Sequence, residues 1–318
     1  MSSSVKVIAD SVSESGKRIT TLECRYWRSI HAELMTHRAF ARNAASSRAV
    51  PFYKKLPMRS IMPTDKEVLD PKCTVAMMLN DPFIPEFIGA EQKGMQSGEQ
   101  LSEDQLRQAR KEIEDMAAYV LLGCKNLHRL GVHKSIINRY LEPWSYITVV
   151  ITATEWDNFF KLRMHHAAEK HFQKLATQMA HAMNASTPTL LHHGDWHLPY
   201  VQPLELACLD PNVDQTYICN HLGKPDDWTR PKVVEFLKKV SAARCARVSY
   251  LTHDGLRSIA DDLDLAEKLL NPGDGAIHAS PFEHVCTPSK LDNTRSGPFI
   301  GWHQYRKEIP GETYTRKL

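Results

Sequence analysis

Val5, Val7 and Ala9 alternate with polar neighbours, Glu14-Ser15-Gly16 supplies turn residues, and Ile19, Leu22 and Cys24 lie in a second extended run. Period-two alternation around such a turn predicts an N-terminal β-hairpin. From Trp27 to Thr36, Ile30, Leu34 and Met35 fall at helical spacing, which predicts a helix running into a small-residue loop, AFARNAASSRAVP, that ends at Pro51. Residues 54–100 carry Asp81-Pro82, Gly94 and Gly98 without a sustained period and read as an irregular segment over the core. Ser102 and Gln105 make a capping box, and Leu106, Ala109, Ile113, Met116, Val120 and Leu127 continue a helical stripe as far as Gly131. Tyr146–Thr152 is dense in β-branched residues and reads as a buried strand, followed by a second long helix from Glu155 to about Met183. Between Pro188 and Trp228, turn residues surround short apolar pieces; Thr229 then offers an N-cap to a helix carrying Val233, Val234, Leu237 and Val240. A further helix, about Leu256 to Leu270, stops at Asn271-Pro272-Gly273, and the tail beyond Cys286 is polar. Helices and strands mixed without a regular βαβ alternation favour an α+β fold.

Composition narrows the classes. The chain has 318 residues, 42% hydrophobic and 24% charged, which excludes disorder for the bulk. The net charge of +3 is too near balance for a protein whose main task is coating nucleic acid or an acidic membrane. No window reaches the roughly 18 to 20 apolar residues of a membrane span. The first residues lack the apolar stretch of a secretory signal, so the cytoplasm is the expected location. Cys24, Cys73, Cys124, Cys208, Cys219, Cys245 and Cys286 are scattered without a CxxC pair, which suits core fillers in a reducing compartment.

Several stretches concentrate polar chemistry. Thr36-His37-Arg38, continued as Arg42-Asn43, Ser46, Ser47 and Arg48, collects guanidinium, imidazole and hydroxyl donors suited to phosphate or carboxylate oxygens; a solvated basic loop has the same composition. TATEWDNFFKLR, residues 152–163, places Glu155, Asn158 and Arg163 near a helix start, where positive potential favours an anion, although Phe159, Phe160 and Leu162 suit an ordinary amphipathic helix. SAARCARVSY, residues 241–250, and PFEH, residues 281–284, are undiagnostic alone. His192-His193-Gly194-Asp195-Trp196-His197 invites a metal reading, but the HExxH spacing is missing, and no metal site is expected. The sequence has no GxxxxGK[ST] loop, no GxGxxG after a strand and no GxSxG elbow.

Taken together, these blocks resemble the flavin-dependent thymidylate synthases. THRAFARNAASSR, residues 36–48, is similar to the signature RHRxxSxNExSxR at His37, Arg38, Asn43, Ser46 and Arg48, and departs from it at Thr36, Ala41 and Ala44. SAARCARVS is similar to a segment close to SAxRAARVS, PFEH matches directly, and TATEWDNFFKLR is similar to NxRSLxNFLxLR at Asn158, Phe159, Leu162 and Arg163, with departures at Thr152 and Thr154. In the family the ARVS and PFEH blocks precede the signature; here they follow it, which implies a circular permutation. The resemblance implies a mixed sheet with long helices, in one domain over 1–318 with insertions at about 54–100 and 184–228. It implies FAD held by His37, Arg38, Asn43, Asn158, Ser249 and His284, the nucleotide held by Ser46, Arg48 and Arg163, and catalytic roles for Arg163 and Ser46. It further implies methylenetetrahydrofolate and NADPH as co-substrates, and a homotetramer with sites between subunits. The implied reaction is transfer of a one-carbon unit to C5 of dUMP. The alternatives are C5 hydroxymethylation of a deoxyuridine nucleotide, or an inactive relative that binds nucleotide or nucleic acid.

Overall fold

The predicted hairpin forms from β1 (Ser4–Ser13) and β2 (Arg18–Trp27), with Gly16 at φ +79° in the turn. Glycine takes that conformation without the steric penalty a Cβ would bring. The molecule is represented by a computed structural model that describes residues 3–48, 82–94, 96, 98–210, 229–250, 258–273 and 277–312. Cys73 and Cys219, most of the 54–100 segment, residues 211–228 of the 184–228 segment and the predicted helix start at Leu256 lie outside the described residues.

β3 (Ala41–Ala44), β4 (Tyr146–Ala153) and β5 (Thr189–Leu191) complete a five-stranded sheet in the order β3-β4-β2-β1-β5. Only β5 runs parallel to its neighbour, so the sheet is mixed and largely antiparallel, in keeping with an α+β fold. β3 replaces part of the predicted loop. Its residues have little strand propensity of their own; the free edge of β4 specifies them, pairing Ala41 with Thr152 and Ala44 with Val149.

Both faces of β4 are covered, which explains its unbroken apolar run. Ile147, Val149, Ile151 and Ala153 meet one side of the sheet's core together with Leu22, Cys24 and Tyr26. Val150 points the other way, against Cys245 and Val248. The near face is sealed by α4 (Lys170–Asn184), whose Phe172, Leu175, Ala176, Met179 and Met183 form a helical stripe. Each large apolar side chain so buried contributes about 1.5–3 kcal/mol.

The predicted helix from Glu155 to Met183 is divided in two, α3 (Asp157–Arg163) and α4. Between them the Gln173 amide donates to the carbonyls of Met164 (3.1 Å) and His165 (2.8 Å), satisfying groups at the end of α3. Glu169 accepts the Phe172 N–H at 2.7 Å and opens α4 as its N-cap. The predicted Trp27–Thr36 helix shrinks to a 3₁₀ turn, Arg28–Ile30, and one helical turn, His31–Leu34.

α1 (Glu103–Arg129) carries the predicted capping box and packs with α2 (Lys134–Tyr140) around Ala117, Leu121, Cys124, Ile137 and Leu141. The far face of the sheet is covered by α5 (Arg230–Arg247) and the C-terminal residues. Thr229 occupies the α5 N-cap position without a side-chain hydrogen bond. The tail read as merely polar is structural: Phe299 and Trp302 are fully buried against Ile19, Ala41 and Cys286. Trp302 also donates its indole N–H to the Lys17 carbonyl at 3.1 Å, tying the tail to the hairpin. Cys24, Cys124, Cys208, Cys245 and Cys286 are buried free thiols, consistent with core filling.

α5 is buried on several sides, and its small residues Ser241, Ala242, Ala243, Cys245 and Ala246 let its backbone lie close to neighbouring segments. Its two late arginines are internal. Arg244 donates to both carboxylate oxygens of Glu205 (2.6 Å each) and to Asp262 on α6 (Ile259–Leu270) at 2.8 Å, while Arg247 donates to the other Asp262 oxygen at 2.7 Å. Removing one member of a buried ionic network leaves charge uncompensated, usually at a cost of several kcal/mol. Asp262→Ala is therefore expected to destabilise the protein by about 3–5 kcal/mol in urea denaturation; a loss below about 1 kcal/mol would show that the network is not coupled to folding.

Candidate active site

A cavity of about 490 Å³ opens between two loops, Thr36–Phe40 leading into β3 and Thr154–Phe159 leaving β4. Sequence places these loops more than a hundred residues apart; pairing of β3 with β4 joins them. His37, Arg38 and Asn158 all line the cavity, with Arg38 and Asn158 exposed and His37 half-buried. His37 is packed edge-on against Phe159, with ring centroids 4.9 Å apart, and near Phe40 at 5.8 Å.

Arg163 completes this corner. Its Nε–H donates to His37 Nε2 at 2.9 Å, its Nη1 pairs with Glu33 at 3.2 Å, and its guanidinium lies 4.5 Å from the centre of the Phe172 ring. Burial, followed by the positive charges of Arg163 and Arg42, pushes the His37 pKa down to about 4. A neutral imidazole that accepts at Nε2 carries its proton on Nδ1, so Arg163 fixes the tautomer as well as the ring position. Sequence reasoning missed Glu33 and Phe172 here. The four-residue spacing of Glu33 and His37 was the available signal for the first; Phe172 had none beyond its core stripe.

Ser46, Arg48 and Ser249 gather at the other end of β3. The Ser46 N–H donates to the Ser249 carbonyl at 2.9 Å, Ala45 N–H donates to Thr148 at 2.8 Å, and the Asn138 amide of α2 donates to the Ser47 carbonyl. The Arg48 N–H turns back to Ser46 Oγ at 3.3 Å, and the Arg48 side chain is exposed. At about 3.3 Å per residue, β3 separates this end from the His37 cavity by roughly 15 Å. Within one chain, then, the signature splits into a cavity end and a loop end.

Asn43 and His284 occupy the far face of the sheet. Asn43 is buried in β3 opposite Val150. His284 lies in a 3₁₀ turn, Ser280–His284, is fully buried, and has its Nδ1 2.7 Å from Thr152 Oγ1. Thr152, one of the departures from the resembled segment, is thus the hydrogen-bond partner of His284. The turn packs against β3, and α5 delivers Ser249 to the same strand, so the ARVS and PFEH blocks meet the signature across β3 and β4.

The histidine-rich HHGDWH stretch disperses. His192 pairs with Glu14 (2.8 Å), His193 meets the Pro288 carbonyl (3.1 Å), Asp195 bonds Arg230 (3.0 Å), and His197 turns into the core. Among the described residues no group of three His, Cys, Asp or Glu side chains is arranged to hold a metal, and no helix is long and apolar enough to cross a membrane.

The sequence matches the family described as thymidylate synthase complementing protein over residues 18–189, more than half of the chain. The chain belongs to that family. No curated protein sequence matches it. Among solved structures, this family member is similar to a UMP/dUMP methylase, PolB, of Streptomyces cacaoi bound with 5-Br UMP, at 15% identity and a TM-score of 0.43 over 57% of this chain and 89% of that one. It is also similar to the flavin-dependent thymidylate synthase ThyX of Helicobacter pylori complexed with FAD and dUMP, at 15% identity and a TM-score of 0.33 over 52% of this chain and 67% of that one.

Burial of His197 and His284, reinforced at His284 by proximity to His197, pushes both pKa values down to about 3. Both are neutral in the folded protein at pH values where an unfolded chain, with histidine near 6.5, takes up protons. Stability should accordingly be level above about pH 6.5 and fall as the pH drops below it, by up to about 1.4 kcal/mol per pH unit for each histidine. Urea denaturation at pH 7.5 and pH 5 measures this, and His284→Gln should flatten the slope; equal stability at both pH values in the unaltered protein would contradict the burial of these rings.

Proposed function

We propose that this protein transfers a one-carbon unit from methylenetetrahydrofolate to C5 of dUMP, with FAD as cofactor and NADPH as reductant. The observation that carries the reading is the folded state of the family signature. THRAFARNAASSR presents His37 and Arg38 to an open cavity, while holding Ser46 and Arg48 in a loop clamped by backbone and side-chain bonds.

The residues present suit a flavin and an anionic pyrimidine nucleotide. Aromatic rings floor the cavity, and a neutral imidazole and an exposed guanidinium edge it. FAD, held by His37, Arg38 and Asn158, would supply the redox and one-carbon transfer chemistry there. The protein's own task is orientation and charge stabilisation. Glu33, His37 and Phe172 hold Arg163 rigid through Nε, Nη1 and the guanidinium face, so Nη2 is the nitrogen not engaged by His37 or Glu33 and suits a uracil carbonyl on which negative charge develops. Ser46 and Arg48 suit the 5′-phosphate.

The separation of the two ends of β3 supports sites assembled between subunits of a homotetramer, with the loop end of one chain serving the cavity end of another. Packing of α5 and the Ser280–His284 turn onto β3 and β4 supports a circular permutation, as does a family match that stops at residue 189, before both segments. A cytoplasmic setting accords with the free thiols.

Purified protein should be yellow, with a flavin absorption spectrum, and should convert dUMP with methylenetetrahydrofolate and NADPH to a C5-modified nucleotide; mass analysis distinguishes a methyl from a hydroxymethyl product. A colourless preparation that takes up no added FAD would overturn the reading. Arg163→Ala is expected to abolish turnover while flavin stays bound, and loss of both would assign Arg163 to structure alone. Arg48→Ala should raise the apparent KM for dUMP by about 10- to 100-fold, the effect of losing one charge-assisted contact, and an unchanged KM would refute the phosphate contact.

A further inference from the structure

Five buried side chains run in a continuous hydrogen-bonded row along the far face of the sheet. Ser11 Oγ lies 2.9 Å from His197 Nδ1, His197 Nε2 lies 2.8 Å from Thr21 Oγ1, Thr21 Oγ1 lies 2.7 Å from Thr152 Oγ1, and Thr152 Oγ1 lies 2.7 Å from His284 Nδ1. None is more than 5% exposed. β1, β2 and β4 contribute one hydroxyl each, and Thr21 and Thr152 are register partners. His197 bridges Ser11 to Thr21, and its backbone is locked to Cys286 by a reciprocal pair of bonds at 2.7 and 3.3 Å.

The two ends differ. Ser11 lines a cavity of about 390 Å³ whose walls include Asp195 and Arg230, both partly solvent-exposed, so water reaches that end. At the other end His284 Nε2 is buried and has no hydrogen-bond partner among the described residues.

Each hydroxyl carries one proton and each neutral imidazole one N–H. With five protons for four bonds, one proton must point out of the row; only Ser11, which faces the cavity, and His284 Nε2 at the far end can direct it there without stranding an interior hydroxyl proton, so only two arrangements satisfy every contact. In one, His284 donates through Nδ1 to Thr152, Thr152 to Thr21, Thr21 to His197, and His197 to Ser11, which leaves His284 Nε2 as a bare acceptor. In the other every bond is reversed and His284 Nε2 carries a proton. Any mixed arrangement sets two donors or two lone pairs face to face, or leaves a buried hydroxyl proton unbonded, which costs free energy in a dry interior.

We propose that Ser11, His197, Thr21, Thr152 and His284 act as one proton relay, through which the solvent-reached cavity at Ser11 sets whether His284 Nε2 is a hydrogen-bond donor or an acceptor. In the forward step a solvent acid gives a proton to Ser11 Oγ as Ser11 passes its own to His197 Nδ1. The His197 Nε2 proton moves to Thr21, the Thr21 proton to Thr152, and the Thr152 proton to His284 Nδ1, while the His284 Nε2 proton passes to a water molecule acting as the base. Six bonds to hydrogen break and six form, and no charge remains on the row. His197, Thr21 and Thr152 are positioning residues for His284 in this scheme. The relay does not depend on the pyrimidine reading.

The test uses full-length protein labelled with ¹⁵N-histidine, without added flavin or nucleotide, so it fails or succeeds independently of the proposed reaction. Ring ¹⁵N shifts report each tautomer, with His197→Gln and His284→Gln serving for assignment. The expected result is that His197 and His284 are neutral with the proton on the same ring position in both. Ser11→Ala should shift the tautomer ratio of His284 several-fold despite four intervening hydrogen bonds; Thr21→Val should uncouple the two rings, and Thr21→Ser should restore the coupling. Opposite tautomers in the unaltered protein, or a His284 ratio unmoved by both Ser11→Ala and Thr21→Val in folded samples, would overturn the relay.

Discussion

Burial of β4 on both faces is the constraint from which the rest of the molecule follows. A strand carrying Val149, Val150 and Ile151 with no exposure at any of them needs a covering layer on each side. α4 supplies one layer and α5 with the C-terminal residues the other. Because β4 also pairs with both β2 and β3, it fixes the distance from the hairpin to the signature strand and sets the height at which the Thr154–Phe159 loop emerges.

Covering the far face with distant segments has a polar consequence. Thr21 and Thr152 lie inside the second layer and must be hydrogen-bonded there. Two neutral histidines satisfy them, one from the dispersed HHGDWH stretch and one from PFEH. Arginines of the SAARCARVS block are likewise consumed internally, by Glu205 and Asp262. Much of what looks like ligand chemistry in these blocks therefore holds the second layer in place. The groups proposed to meet a ligand are fewer: His37, Arg38 and Asn158 in the cavity, Arg163 behind His37, and Ser46 and Arg48 in the loop beyond β3.

Local signals were readable wherever one residue type or one period decided the outcome. The hairpin, the capping box at Ser102 and Gln105, and the strand at Tyr146 needed only alternation, cap chemistry or β-branched density. The break between α3 and α4 was hidden because helical periodicity continues across it; Gln173 and Glu169 end one helix and start the next through side-chain bonds that leave no apolar mark. β3 was hidden because a partner strand more than a hundred residues away specifies it. The buried tail was hidden because two aromatic anchors, Phe299 and Trp302, sit among polar residues that reveal nothing of their burial.

The sequence by itself determined the family, the α+β character and the identity of the signature residues, since these depend on residue types at fixed short spacings. Tertiary structure alone decided which of those residues share a space. Pairing of β3 with β4 brings His37 and Asn158 to one cavity, the length of β3 carries Ser46 and Arg48 away from it, and the sheet itself lies between His37 and His284. Strand pairing and face assignment are set by contacts between segments far apart in the chain, and linear spacing contains no measure of them.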